Sequence, residues 1–121
     1  MDLLAEYRRA TMFFEAGDPI GAARLLEPIV EAEPDNSGVR TLLARAYFQS
    51  AQLSRAEAEL RVLIERAPDD HYAHHVLGRT LERQGRPGEA LSHLRIAQAM
   101  RSDIPDYSSA VDRVSAKVGR A

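Results

Sequence analysis

The stretch EAEPDNSGVRTLLARAYF (residues 31–48) returns 34 residues later as ERAPDDHYAHHVLGRTLE (residues 65–82). Few letters are identical, but the pattern is the same. Pro34 and Pro68 close one segment and open the next, and the pairs Leu43/Leu77 and Ala44/Gly78 fall in register. Carried outward, the same step aligns Ala22, Ala56 and Ala90, then Leu26, Leu60 and Leu94 four residues on, and extends the small column back to Ala10. A period of this size defines the fold, because one unit cannot bury its apolar face without its neighbours. Three copies follow, at 3–36, 37–70 and 71–104.

Each copy divides into two helical patterns. In the second, Val39, Leu42, Leu43, Ala46 and Tyr47 recur at three- and four-residue steps, as do Ala56, Leu60, Leu63 and Ile64 after a break. Both are amphipathic stripes that need a partner. The breaks carry turn chemistry. Gly17 before Asp18-Pro19 supplies a left-handed stop, an N-cap and a first-turn proline, and Gly85 with Pro87 repeats it. Ser54 and Glu57 read as a capping box, while Asn36 or Ser37 and Asp69 or Asp70 are the expected caps between copies. Pro28 interrupts the second helix of copy one, withholds an N–H from the Arg24 carbonyl and should bend that helix. After Pro105 one more stripe, Tyr107, Val111, Val114 and Val118, predicts a capping helix over about 105–118. Asp112 in the small-residue column argues against a full fourth copy.

These residues resemble the tetratricopeptide repeat. The second copy carries Leu43, Ala44, Tyr47, Ala56, Leu60 and Pro68 where that family places its Leu, small residue, Tyr, Ala, large apolar residue and Pro. The third departs at Ser102, where Pro is expected, and the first at Arg9, in the Leu column. The resemblance implies an all-α fold of about seven helices forming one domain over 1–121, a right-handed superhelical solenoid of antiparallel hairpins.

Composition narrows the function. A formal net charge of −2 argues against a protein that neutralises phosphates along a nucleic acid. The chain has no cysteine, hence no disulfide, thiolate catalysis or sulfur-based zinc site. No apolar run approaches the roughly 18 residues of a membrane span, and DLLAEYRRA after Met1 has no leader features. A cytoplasmic protein that does not bind membranes is expected. Nothing resembles a nucleophile or phosphate loop, so no enzymatic activity and no cofactor are expected.

His71, His74 and His75 invite a metal reading, but helical spacing puts His71 and His75 on one face and His74 on another, and Tyr72 stands where a zinc protease needs Glu. No metal site is expected, with a histidine-based metal-responsive regulator as a lesser alternative.

The family resemblance implies instead that the first helix of each copy lines a concave groove that receives a peptide or helix of another protein. The residues expected to face it are Tyr7, Thr11 and Phe14; Thr41, Arg45, Phe48 and Gln49; and Tyr72, His75, Arg79, Glu82 and Arg83. Arginines beside aromatic rings suit an acidic, apolar segment. Repeats that clamp the acidic tail of the large heat-shock chaperones use Lys, Asn and Arg at positions filled here by Tyr7, Thr11, Leu42, Tyr72 and Val76, which implies a different ligand. Charge supplies an alternative. Residues 1–36 hold eight acids against three bases, and 71–104 five bases against three acids, so a homo-oligomer could form by end-to-end packing or by exchange of the last helix.

Overall fold

A computed structural model describes residues 2–120. Seven helices account for nearly all of them: α1 (Leu3–Glu15), α2 (Pro19–Ala32), α3 (Ser37–Gln49), α4 (Leu53–Arg66), α5 (His71–Arg83), α6 (Pro87–Met100) and α7 (Pro105–Val118). Among the described residues there is no strand, and no helix is long and apolar enough to cross a membrane. The first helices of the copies open at residues 3, 37 and 71, and α7 opens at 105, so the step of 34 carries into the last helix. The chain divides into two compact units, Met1–Glu59 and Leu60–Ala121.

Local sequence sets the helix ends. Asp2, Asp18, Asn36 and Asp70 each accept a backbone N–H of the first turn, which resolves the two open choices of cap in favour of Asn36 and Asp70. Each first helix ends the same way. Gly17, Ala51 and Gly85 hold positive φ, and the following N–H groups of Asp18, Gln52 and Arg86 return to Phe13, Tyr47 and Leu81 at 2.8–2.9 Å. The middle copy departs from expectation here. Ala51, at φ 60, takes the left-handed position without a glycine, and the Gln52 carbonyl accepts from Ala56 N–H at 3.0 Å. The helix therefore opens at Leu53, which puts Ser54 inside the first turn rather than at a cap.

The aligned small residues are the close approaches. Ala10, Ala22, Ala44, Ala56 and Ala90 are all 0% exposed, with Leu26, Leu60 and Leu94 sealed beside them. In the second unit α6 packs on α5, and α7, docked mainly on α6, buries its own Tyr107, Ala110, Val111 and Val114. In the first unit Arg40 is buried between helices, paired with Glu59 and donating Nη2–H to the Pro34 carbonyl at 3.0 Å.

Helix α2 continues through Pro28, which is exposed and leaves the Arg24 carbonyl without its helical donor. Pro28→Ala restores that hydrogen bond and removes the ring. The proline penalty of about 3 kcal/mol, less about 1 kcal/mol for a looser unfolded chain, gives an expected stabilisation of about 2 kcal/mol. A higher urea midpoint at unchanged slope checks it, and an unchanged midpoint refutes it.

Candidate functional site

In the first unit the residues expected on the inner wall alternate with the core as the helical period requires. Tyr7, Thr11, Phe14, Thr41, Arg45 and Phe48 are half-buried and Gln49 is exposed, whereas the intervening Leu42, Leu43, Ala44, Ala46 and Tyr47 are buried. The threonines are tied to their own helices, Thr11 Oγ1 donating to Tyr7 O at 3.0 Å and Thr41 Oγ1 to Ser37 O at 2.8 Å. The Arg45 guanidinium lies 4.8 Å from the centre of the Phe14 ring, so α1 and α3 present a cation stacked on an aromatic face.

In the second unit the expected residues separate. Tyr72, Arg79 and Arg83 are exposed. His75 is buried, its ring stacked 4.5 Å from that of Tyr107 on α7, with Nδ1 unpartnered. Burial, then the charge of Arg79, pushes its pKa down to about 4. Glu82 is bound at both oxygens by Arg113, at 2.8 and 2.9 Å, and is also paired with Lys117. These donors, Arg113 first, hold its carboxyl down at about 2 despite partial burial. Helix α7 thus covers two of the positions that the sequence placed on the open face.

The histidines join two separate clusters. His71 Nδ1 lies 2.8 Å from the Tyr107 hydroxyl, on the side where His75 stacks. His74 instead meets Pro68 O through Nε2 at 2.8 Å and His93 Nδ1 through Nδ1 at 3.0 Å. A proton on His74 Nε2 is required to donate to that carbonyl. His74 Nδ1 is then the acceptor and His93 Nδ1 the donor, a pair complete with both rings neutral. Burial first, then His74, depresses the His93 pKa. Among the described residues no group of three or more His, Cys, Asp or Glu side chains is placed to hold a metal ion.

Arg113 is absent from the residues expected at the site, yet the sequence carries its signal: Arg45, Arg79 and Arg113 stand at steps of 34. Arg79 and Arg113 wall a cleft of about 220 Å³ between α5 and α7, with His75, Asp106, Ser109 and Ala110.

Comparison with known proteins agrees with this architecture. A family model described as tetratricopeptide repeat matches residues 13–80. The first TPR of Spaghetti (RPAP3), solved bound to the HSP90 peptide SRMEEVD, is similar at a TM-score of 0.90 with 16% identity, over 97% of this chain and 93% of that one. MamA from Desulfovibrio magneticus RS-1 is similar at 0.91 with 14% identity, over 98% of this chain and 67% of that one. MamA AMB-1 is similar at 0.85 with 25% identity, over 99% and 66%.

Proposed function

Because the chain belongs to the tetratricopeptide repeat family, whose model matches more than half of it, we propose that it is a non-catalytic protein-interaction module whose first helices receive a segment of another protein. The observation that carries this reading is the row of half-buried and exposed side chains from Tyr7 to Gln49, among which Arg45 is braced on Phe14. A guanidinium packed over a ring loses less freedom when it meets a carboxylate, and neighbouring rings offer apolar contact. The corresponding ligand is an extended or helical segment carrying both carboxylates and apolar side chains.

The chaperone-tail peptide bound by the RPAP3 domain is a poor model for that ligand. The positions that would clamp it include Leu42 and Val76, which are 7% and 6% exposed and have no charge to offer. We place the protein in the cytoplasm, a reducing compartment with which a cysteine-free chain is compatible. The acidic first copy and basic third copy favour self-association as a second reading, which a salt-dependent mass by light scattering would support.

Selection of displayed peptides on the intact chain tests the main reading. Acidic, apolar segments should be enriched, and Arg45→Glu with Arg79→Glu should weaken them at least about ten-fold each by replacing a charge-assisted hydrogen bond with repulsion. Helicity should not change. Normal binding by the double variant, or enrichment of SRMEEVD-like peptides through other residues, overturns the assignment.

A further inference from the structure

The arginine column at 45, 79 and 113 acquires a specific meaning at its last position. Arg113 shows what a guanidinium in this column can take, since its Nε and Nη2 clasp both oxygens of Glu82, 31 residues earlier, at 2.9 and 2.8 Å. In the first unit the same spacing puts Phe14 beneath Arg45. A ring at Arg45 and a carboxylate at Arg113 are thus partners that this column can take.

The cleft between α5 and α7 carries a second, independent mark. His75, which lines it, is more than nine-tenths buried, and its Nδ1 has no hydrogen-bonding partner. A buried ring nitrogen left unpaired is costly, of the order of 1–3 kcal/mol, and native structures rarely keep one without a use. Around it stand two guanidiniums from facing helices, the Ser109 hydroxyl and the Asp106 carboxylate.

Building on the inner-face reading above, we propose that this cleft binds a single carboxylate of the partner segment, held by Arg79, Arg113, Ser109 and the Nδ1–H of His75, with Glu82 occupying Arg113 until the ligand arrives. The charge count selects the ligand class. Arg79 and Arg113 against Asp106 leave one net positive charge in the lining, while Lys117 offsets Glu82 behind it. One positive charge matches a monoanion, and a phosphate dianion would leave an uncompensated negative charge in a confined site. Burial keeps His75 neutral at pH 7, so it donates one proton without adding charge.

NMR titration of the intact chain at pH 8 tests the site with small probes: N-acetylglycine for a chain terminus, N-acetylglutamate α-methylamide for an acidic side chain, inorganic phosphate and sodium chloride. The His75 ring and Arg113 Nε–H resonances are expected to shift saturably with a carboxylate, at about millimolar affinity for so small a ligand. Response to the first probe alone assigns a C-terminal carboxylate, and response to the second alone an Asp or Glu side chain; either supports the site. Arg113→Gln should weaken binding about ten-fold, and Glu82→Gln, by removing the internal competitor, should strengthen it several-fold. Ser109→Ala, an exposed change that leaves the α7 core intact, should also weaken it. The proposal falls if no saturable shift appears at these groups, if phosphate or chloride acts equally, or if Glu82→Gln binds no more tightly while NOEs between Tyr107 and His75 show α7 still docked. No partner segment is used here, so this test can fail while peptide selection succeeds, and the reverse.

Discussion

Gly78→Leu is expected to lower the stability of the intact chain by about 3 kcal/mol or more through overpacking between α5 and α6. A Cβ built on Gly78 lies 2.5 Å from both Cγ and Cδ2 of Leu94, and 3.1 Å from the Ala90 carbonyl oxygen. Leu94 is fully buried, and the carbonyl belongs to the backbone of α6. Even one added methyl therefore forces the Leu94 side chain to shift and presses on the α6 backbone. Gly78→Ala sets a helix-propensity gain of about 1 kcal/mol against overpacking of about 1–3 kcal/mol, so a small net loss is expected. Leucine adds three more carbons with no further propensity gain, and strain dominates. Urea melts followed by circular dichroism measure the loss, and hydrogen exchange should place it in Leu60–Ala121. A cycle with Leu94→Ala should return part of the stability, since that truncation vacates the space the new side chain needs. A wild-type midpoint for Gly78→Leu would mean that the helices do not approach as described.

The same column shows how much could be read in advance. Ala10, Ala44 and Gly78 align in the sequence, and their common burial follows from the step of 34. Helix number, the glycine stops at Gly17 and Gly85 and the Asp18 cap were legible because they depend on local chemistry, and the caps between copies could be narrowed to Asn36 or Ser37 and to Asp69 or Asp70. Ala51 was not legible as a left-handed residue, because the tertiary frame imposes that conformation on a side chain that resists it. Within the candidate site, helical spacing separated the half-buried and exposed side chains of α1 and α3 from their buried neighbours, while the groove they are proposed to line came from the family resemblance. For His75 and Glu82 spacing gave the face of α5 but not what α7 brings to it. The apolar stripe of α7 predicts only a shield for the last hairpin, while the docked helix also brings Tyr107, Arg113 and Lys117 onto that face. Arg113 continues the 34-residue step of Arg45 and Arg79, but Asp112 breaks the small-residue column beside it, so the repeat fades where that arginine stands.

Acidification from pH 6.5 to 4 is expected to remove about 3 kcal/mol of stability through His75 alone. Its pKa falls from 6.5 in the unfolded chain to about 4 in the fold, because burial and then Arg79 disfavour the imidazolium, with Arg113 adding to this and Asp106 opposing it. The depressed value fixes the sign. Above pH 6.5 both states hold the ring neutral and its contribution is complete; between 6.5 and 4 only the unfolded chain takes up the proton, so stability falls by up to about 1.4 kcal/mol per pH unit. His93, depressed by burial and by His74, acts in the same direction. Glu82 adds a separate, lower window: with its folded pKa near 2, its contribution is present above about 4.5 and is lost as pH falls toward 2. Urea midpoints across this range should therefore show two descending segments. His75→Phe keeps an aromatic ring against Tyr107 and removes both the titrating nitrogen and the unpaired buried one, so it should raise stability at pH 8 by up to about 1–3 kcal/mol and flatten the upper segment to what His93 supplies. NMR titration of the wild-type ring separates this account from a general acid effect. A His75 that titrates near 6.5 while α7 remains docked would remove the basis for the upper segment.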